Sequence, residues 1–277
     1  MGEAGWVAVL PVKRLAAAKT RLRGAVPGVD HDRLVLAMAR DTVAAALACP
    51  LVARALVVTD DPAATAALGG LGAQRVPDDG GLNRAFARGA AHAGGAPVVA
   101  LTADLPALRP RELAAALTAV TRRGFVPDAD GTGTAMLAAR AGVPLDPRFG
   151  PGSAGAHAAS GATRLDGDWP TLRRDVDTAA DLAGAAALGL GRFTAEVIGA
   201  ARADPTARYG DRMQGTVARF DTDTGEGAVL LDDGSEVAFP AEAFVTSGLR
   251  LLRVGQRVKL DRDETGKISR VTLPTFP

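Results

Sequence analysis

Between Trp6 and Arg123, short apolar runs alternate with longer segments of helical spacing, and that alternation restricts the fold more than any other feature of the chain. Trp6–Val12, Ala55–Asp60, Gln74–Asp79 and Pro97–Thr102 read as strands, and Asp32–Leu47, Pro62–Leu71, Leu82–Gly94 and Pro110–Arg123 as helices. The strand runs are continuously apolar, so both faces of each are expected to be covered. Such strands joined by helices build βαβ units and a mainly parallel sheet. Asn83 is placed to cap the third helix. After Gly124 the pattern shortens, through Gly131–Arg140 and Ala162–Asp177, until Thr178–Leu188 closes the region as a helix. A polar stretch with Pro205 and Gly210 follows. From Met213 the chain is all β in pattern, its short strands separated by Gly, Asp and Thr turns, which suggests a small five-stranded barrel. The expected organisation is an α/β domain over 1–203, a linker over 204–212 and the barrel over 213–277.

Composition narrows the class of function. The chain has 277 residues, 47% apolar but only 4% aromatic, so Ala, Val and Leu must build the core. With 32 basic and 31 acidic residues there is no global field to draw nucleic acid or an anionic membrane, and any phosphate recognition must be local. Cys49 is the only cysteine, which excludes an intrachain disulfide and suits a reducing compartment. The N-terminal segment carries acid before its short apolar run and bases after it, the reverse of a secretory signal. No stretch approaches the ~20 apolar residues of a membrane span. A soluble, cytoplasmic protein is expected.

Three groups of residues can carry chemistry. Asp104 ends the apolar run Pro97–Thr102 at a Leu-Pro turn, and ligands of open α/β sheets collect at the carboxyl ends of such strands. A carboxylate there is costly unless a cation meets it, although it can equally cap the turn. The loop after the first strand sets Lys13, Arg14, Lys19 and Arg21 close together, as a polyphosphate would require; a solvated charged loop is the plain alternative. It is not a P-loop, whose Gly-x-x-x-x-Gly-Lys pattern is absent. Asp175 and Asp177 are two residues apart, so in extended chain both point to one side and can share a metal with Asp104. Thr178 and Asp181 also resemble a capping box for the helix that follows. Gly131–Thr134 and Arg148–Ser153 are rich in glycine and hydroxyls, which suits an anion or ordinary turns, and Ser153 begins a helical segment whose N-terminus would face that anion. His157 has no acidic neighbour in sequence and reads as incidental.

Together these pieces resemble one family, the guanylyltransferases of coenzyme F-420 (deazaflavin) biosynthesis, which act on 2-phospho-L-lactate or phosphoenolpyruvate. The resemblance is carried by VKRLAAAKTRL (Val12–Leu22), LVLAMARDT (Leu34–Thr42), Gly81–Asn83, TADLPAL (Thr102–Leu108), DGTGTAML (Asp130–Leu137), PRFGPGSAGAH (Pro147–His157) and LRRDVDTAADL (Leu172–Leu182), in family order over about 6–200. It implies a Rossmann-like, GT-A-like nucleotidyltransferase fold related to enzymes that act on molybdopterin and sugar phosphates. The Gly-x-Gly-x-Arg start of those relatives is missing here, which favours this branch over them.

By this resemblance, Asp104, Asp175 and Asp177 hold Mg²⁺ against the triphosphate of GTP, and Lys13, Lys19 and Arg21 neutralise the leaving pyrophosphate. Thr134, Gly150 and Ser153 grip the phospho-acid, while Asn83 and Thr102 lie near the nucleoside. The product would pass to a downstream lactyl- or enolpyruvoyl-transferring enzyme. The C-terminal segment resembles a cold-shock, OB-type domain. Its stacking positions carry Arg219, Glu226, Ala228, Ala238 and Pro240 in place of aromatics, and Phe220, Phe239 and Phe244 are expected to fill the barrel. Residues 213–277 hold eight Lys/Arg against ten Asp/Glu, a net of −2, so nucleic acid is not an expected partner. Two other readings stand beside this one: a nucleotidyltransferase for another small phosphate, such as a molybdopterin or sugar precursor, and a nucleic-acid-binding regulator with an α/β sensor.

Overall fold

The computed structural model describes residues 5–15, 18–78, 80–203, 213–231, 234–263 and 267–273. The chain divides into two compact units, 1–200 and 201–277, and the expected linker over 204–212 lies outside the described residues. In the first unit β1 (Trp6–Pro11), β2 (Val52–Val58), β3 (Gln74–Val76) and β4 (Val98–Leu101) alternate with α1 (His31–Leu47), α2 (Pro62–Gly69) and α3 (Leu82–Ala91). Then come α4 (Pro110–Ala119), β5 (Arg123–Pro127), β6 (Thr134–Ala139), α5 (Ser153–Ala159), β7 (Thr163–Arg164), α6 (Pro170–Arg173), α7 (Ala179–Leu188) and α8 (Arg192–Ala203).

These strands form a seven-stranded sheet in the order β3-β2-β1-β4-β6-β5-β7. β1 pairs in parallel with both β2 and β4, whereas β6 is antiparallel to its neighbours β4 and β5. The mainly parallel sheet read from the sequence is present, with one reversed strand. Period-two alternation sends Trp6, Ala8 and Leu10 of β1 into one core, with α1, and Val7 and Val9 into the other, with Phe86 of α3. Helix α3 lies so close to the sheet that a Cβ on Gly89 would collide with Val9.

Strand order places the site. From β1 the chain moves to β2 and β3 on one side, then crosses back to β4 on the other. The carboxyl ends of β1 and β4 therefore flank a crevice that no connection fills, the position where open α/β sheets bind ligands.

Several boundaries differ from the sequence reading. Asn83 does not cap α3: the cap is Gly81, at φ 85°, and Asn83 is already helical. The fourth helix stops at Ala119, and Arg123 begins a strand instead of ending the helix. Helix α8 occupies a stretch to which the sequence pattern assigns no element; Asp41 of α1 anchors it, accepting from the backbone N–H groups of Phe193 (3.0 Å) and Thr194 (2.8 Å).

The second unit is a five-stranded antiparallel sheet, order β10-β9-β8-β11-β12, built from β8 (Met213–Phe220), β9 (Gly227–Leu231), β10 (Glu236–Phe239), β11 (Arg257–Arg262) and β12 (Ile268–Thr272). It curls as an OB-like half-barrel around Val217, Val229, Phe239, Val258, Leu260 and Val271, and the short α9 (Ala241–Val245) packs on β12. Phe239 is buried, with Phe220 and Phe244 packed against the same core. Ala228 is also fully buried, so it belongs to the interior and not to an exposed stacking position. Among the described residues no single helix is long and apolar enough to cross a membrane.

Candidate active site

The loop leaving β1 is pinned at two points. Leu15 N–H donates to Asp61 Oδ2 (3.0 Å), and His31 Nε2 lies 2.8 Å from the carbonyl oxygen of Ala18. Directly after the second pin Lys19 adopts a left-handed backbone (φ 49°), a conformation that costs a non-glycine residue about 1–3 kcal/mol. The strain delivers its ammonium to a defined place, where it forms ion pairs with both Asp104 and Asp177. Burial alone would lower the Lys19 pKa; the two carboxylates outweigh it and raise it, so Lys19 stays charged.

Asp104 is held through its backbone neighbours. Leu105 N–H donates to Thr42 Oγ1 (3.0 Å), which itself donates to the carbonyl of Met38 (2.9 Å). The Asp104 carbonyl accepts from Val176 N–H (3.1 Å), stitching the Asp-Val-Asp segment to the end of β4. Val176 is wholly buried, with Asp175 and Asp177 on either side of it, the alternation expected for extended chain. Thr178 and Asp181 form the capping box at the start of α7, leaving Asp177 to meet Lys19.

A cleft of about 430 Å³ opens here, and its walls bring together Lys13, Lys19, Arg21, Thr102, Asp104 and Asp177. Thr102 Oγ1 and Asp104 Oδ1 are buried and have no hydrogen-bond partner among the described residues. Asn83, Thr134, Gly150, Ser153 and Asp175 are not among its wall residues. Asn83 instead clamps the backbone of Phe149, donating through Nδ2 to its carbonyl (3.0 Å) and accepting through Oδ1 from its N–H (2.7 Å). Gly150 and Ser153 lie together elsewhere, Ser153 N–H donating to the Gly150 carbonyl (3.1 Å), and the buried Thr134 meets the same helix through its hydroxyl, 2.9 Å from His157 Nδ1. Gly150 has φ 140°, a backbone that a side chain would strain.

Asp175 is coupled electrostatically to the cleft group, to Asp104, Lys19 and Asp177. Burial first, then the charge of Asp104, push its carboxyl up to about 7. Among the described residues no three Asp, Glu, His or Cys side chains already surround one point as a metal would require. The donor chemistry still suits a divalent cation, given an Asp104 oxygen with no partner among the described residues and an Asp175 carboxyl whose ionisation is opposed by burial and by the neighbouring Asp104.

This geometry makes a stability prediction. A carboxyl whose folded pKa lies above its ordinary 3.8 favours the folded state at acid pH, and that benefit is lost as pH rises through about 7. Above that range the charge on Asp175 costs up to about 4 kcal/mol. Asp175→Asn should therefore raise the melting temperature of the Mg²⁺-free protein at pH 8 and change it little at pH 4. Equal shifts at both pH values in thermal melts with EDTA would contradict the origin given for this pKa.

Sequence reasoning passed over His157. It is fully buried and bonded at both ring nitrogens, to Thr134 and to the Arg148 backbone. The available signal was its place four residues after Ser153, one turn inward on the same short helix.

Comparison with known proteins identifies the family. The family described as "Guanylyl transferase CofC like" matches residues 6–164. A phosphoenolpyruvate guanylyltransferase of Salinispora arenicola is 62% identical over 208 residues, covering 73% of this chain and 96% of that protein. Proteins of the same name from Geodermatophilus obscurus and Streptomyces coelicolor are 58% and 52% identical, over 73% and 69% of this chain and 97% and 95% of theirs. With a match over more than half its length and relatives covered almost end to end, the chain belongs to the CofC-like guanylyl transferase family.

Proposed function

We propose that the first unit condenses GTP with phosphoenolpyruvate to give enolpyruvoyl-diphospho-guanosine and pyrophosphate, a step of coenzyme F-420 biosynthesis. A phosphate oxygen of the acid attacks the α-phosphorus of GTP, a new P–O bond forms, and the bond to the β-phosphate breaks with its electrons leaving on pyrophosphate. The observation that carries this reading is the cation-and-carboxylate cluster at the β1/β4 crevice, Lys19 with Asp104 and Asp177, in a chain whose relatives bear this activity in their names.

The residues have separate tasks. Lys13, Lys19 and Arg21 neutralise the β- and γ-phosphates, so that charge building on the leaving group meets fixed cations. Asp104, Asp175 and Asp177 would hold Mg²⁺, which when bound supplies charge neutralisation along the triphosphate. Thr102, whose hydroxyl lacks a partner among the described residues, serves the nucleotide side. Asn83, placed near the nucleoside by the resemblance, instead has both polar atoms of its amide committed to Phe149, in the loop that carries Gly150. Thr134, Gly150 and Ser153 receive the carboxylated phosphate. Little covalent help is needed from the protein; positioning and charge dominate such transfers. The product would pass on to an enolpyruvoyl-transferring partner enzyme.

The test is pyrophosphate release from GTP and Mg²⁺ with phosphoenolpyruvate, 2-phospho-L-lactate or 3-phosphoglycerate in turn, and with CTP, ATP or UTP replacing GTP. Release is expected with GTP and phosphoenolpyruvate above the other pairs. Turnover confined to CTP, with any of the three acids, would move the chain's activity to cytidylyl chemistry.

Ser153→Ala and Thr134→Val should each weaken use of the acid more than use of GTP. Each removes one donor to a charged oxygen, worth roughly 1.5–3 kcal/mol. Kinetics with the two substrates varied separately decide this, and a change confined to the GTP parameters would assign these residues to the other ligand.

A further inference from the structure

His157 lies on α5 with no exposed surface, its ring between Phe125 and Phe149 at centroid distances of 5.8 and 5.1 Å. Nδ1 is 2.9 Å from Thr134 Oγ1, and Nε2 is 2.9 Å from the backbone nitrogen of Arg148. These two contacts settle the tautomer. The Arg148 N–H can only donate, so Nε2 must carry a lone pair; the proton of the neutral ring is then on Nδ1, and Thr134 Oγ1 accepts it. A hydroxyl that accepts in this way keeps its own proton for another oxygen. Among the described residues no second partner of that hydroxyl is recorded.

We propose that His157 is a positioning residue for the phospho-acid: it turns the Thr134 hydroxyl proton toward the acid and fixes the Arg148–Gly150 segment at the place where Gly150 meets it. This rests on the reading of Thr134, Gly150 and Ser153 as the acid's cradle. The same segment is gripped from its other side, where Asn83 holds both polar groups of the Phe149 backbone and the Phe149 ring stacks on Phe86 at 4.2 Å. A segment fixed from α3 and α5 together presents one geometry to a small, highly charged ligand, which lowers the ordering cost of binding.

The ring must stay neutral for this arrangement to hold, because a proton on Nε2 would face the Arg148 N–H. The surroundings enforce neutrality. Burial first, then the positive charge of Arg123 on β5, lower its pKa to about 4; Asp146 opposes them and Arg148 adds to them, both from the loop before α5.

Two measurements on the full chain test the proposal. The first uses the unaltered protein, so it does not depend on a variant folding. Imidazole ¹H–¹⁵N spectra are recorded from pH 5.5 to 8, with the three histidines assigned through His31→Gln and His92→Gln. His157 should show a protonated Nδ1, an acceptor Nε2 and no titration across the range. The Nε2–H tautomer, or a midpoint inside the range, would overturn the proposal.

The second is a kinetic split. His157→Gln, which loses the donor to Thr134, should raise the KM for phosphoenolpyruvate about tenfold, the worth of one hydrogen bond, and leave the KM for GTP unchanged. His157→Asn, which keeps a donor on the Nδ1 side, should recover part of the loss, and Thr134→Val should add little in the His157→Gln background. A parallel rise in the KM for GTP, or effects of the two substitutions that simply multiply, would refute the positioning role alone. If Thr134→Val leaves the acid's KM unmoved, the cradle itself is wrong, and the inference falls with it.

Discussion

Asp104→Ala should abolish guanylyl transfer while leaving the fold intact. The carboxylate lies three residues past the end of β4 at the crevice, with one oxygen paired to Lys19 and the other buried without a partner among the described residues. Removing it takes away a proposed metal contact and releases Lys19 from one of its two anchors. The loss expected is on the order of 10²-fold or more in kcat, as when one preorganised electrostatic contact is deleted. The fold should survive because Asp104 is tied in through its backbone, by its carbonyl to Val176 N–H and by the neighbouring Leu105 N–H to Thr42. The lost ion pair is also offset by relief of the repulsion with Asp175. Near wild-type turnover at saturating Mg²⁺, with an unchanged circular dichroism spectrum, would remove Asp104 from the site.

The parallel core was legible in the sequence because buried strands carry their signal in plain composition. Val7, Val9, Val99 and Leu101 are apolar whichever face they turn to, and no register had to be guessed. The elements that sequence reading missed owe their stability to distant partners. Helix α8 depends on a carboxylate from α1 that caps it, and α6 on Glu112 of α4, which accepts from Thr171 N–H (2.8 Å) and Leu172 N–H (3.3 Å). Nothing local in Arg192–Ala203 or Pro170–Arg173 announces such help.

The site divides along the same line. Asp104 was readable because it follows directly on a buried strand, and the Lys13–Arg21 cluster because charges that dense are visible in any window. Their meeting was not readable from composition or spacing: the Lys19 contact to Asp177 joins residues 158 positions apart and requires a left-handed lysine. His157 was hidden for a related reason. Its partners are a hydroxyl on β6 and a backbone N–H in the preceding loop, so a search for acidic neighbours in sequence passes over it. Asn83 shows the opposite error. An Asn near a helix start is a good cap candidate, but here the turn is made by Gly81 and the amide is spent on Phe149.

Lys19→Met should have the second large effect, and its direction depends on what is measured. In the structure the ammonium lies between Asp104 and Asp177, the two carboxylates that also line the cleft. Methionine keeps much of the side chain's length without its charge, so the cleft stays filled while its cation is lost. With GTP present, the triphosphate loses a fixed counter-charge, and kcat/KM for GTP should fall on the order of 10²-fold. Without nucleotide the substitution acts the other way on metal binding: Asp104 and Asp177 no longer have an internal cation competing for their oxygens. The variant alone should then bind Mg²⁺ or Mn²⁺ more tightly than the parent protein, as read by calorimetry. In EDTA it should also be less stable, by up to about 3–5 kcal/mol, because two carboxylates are left facing Asp175 with nothing between them. Added Mg²⁺ should restore much of that loss. A variant that loses activity and also binds the divalent ion more weakly would show that Lys19 shapes the carboxylate cluster and does not compete for it. Unchanged use of GTP would show that the ammonium never reaches the triphosphate.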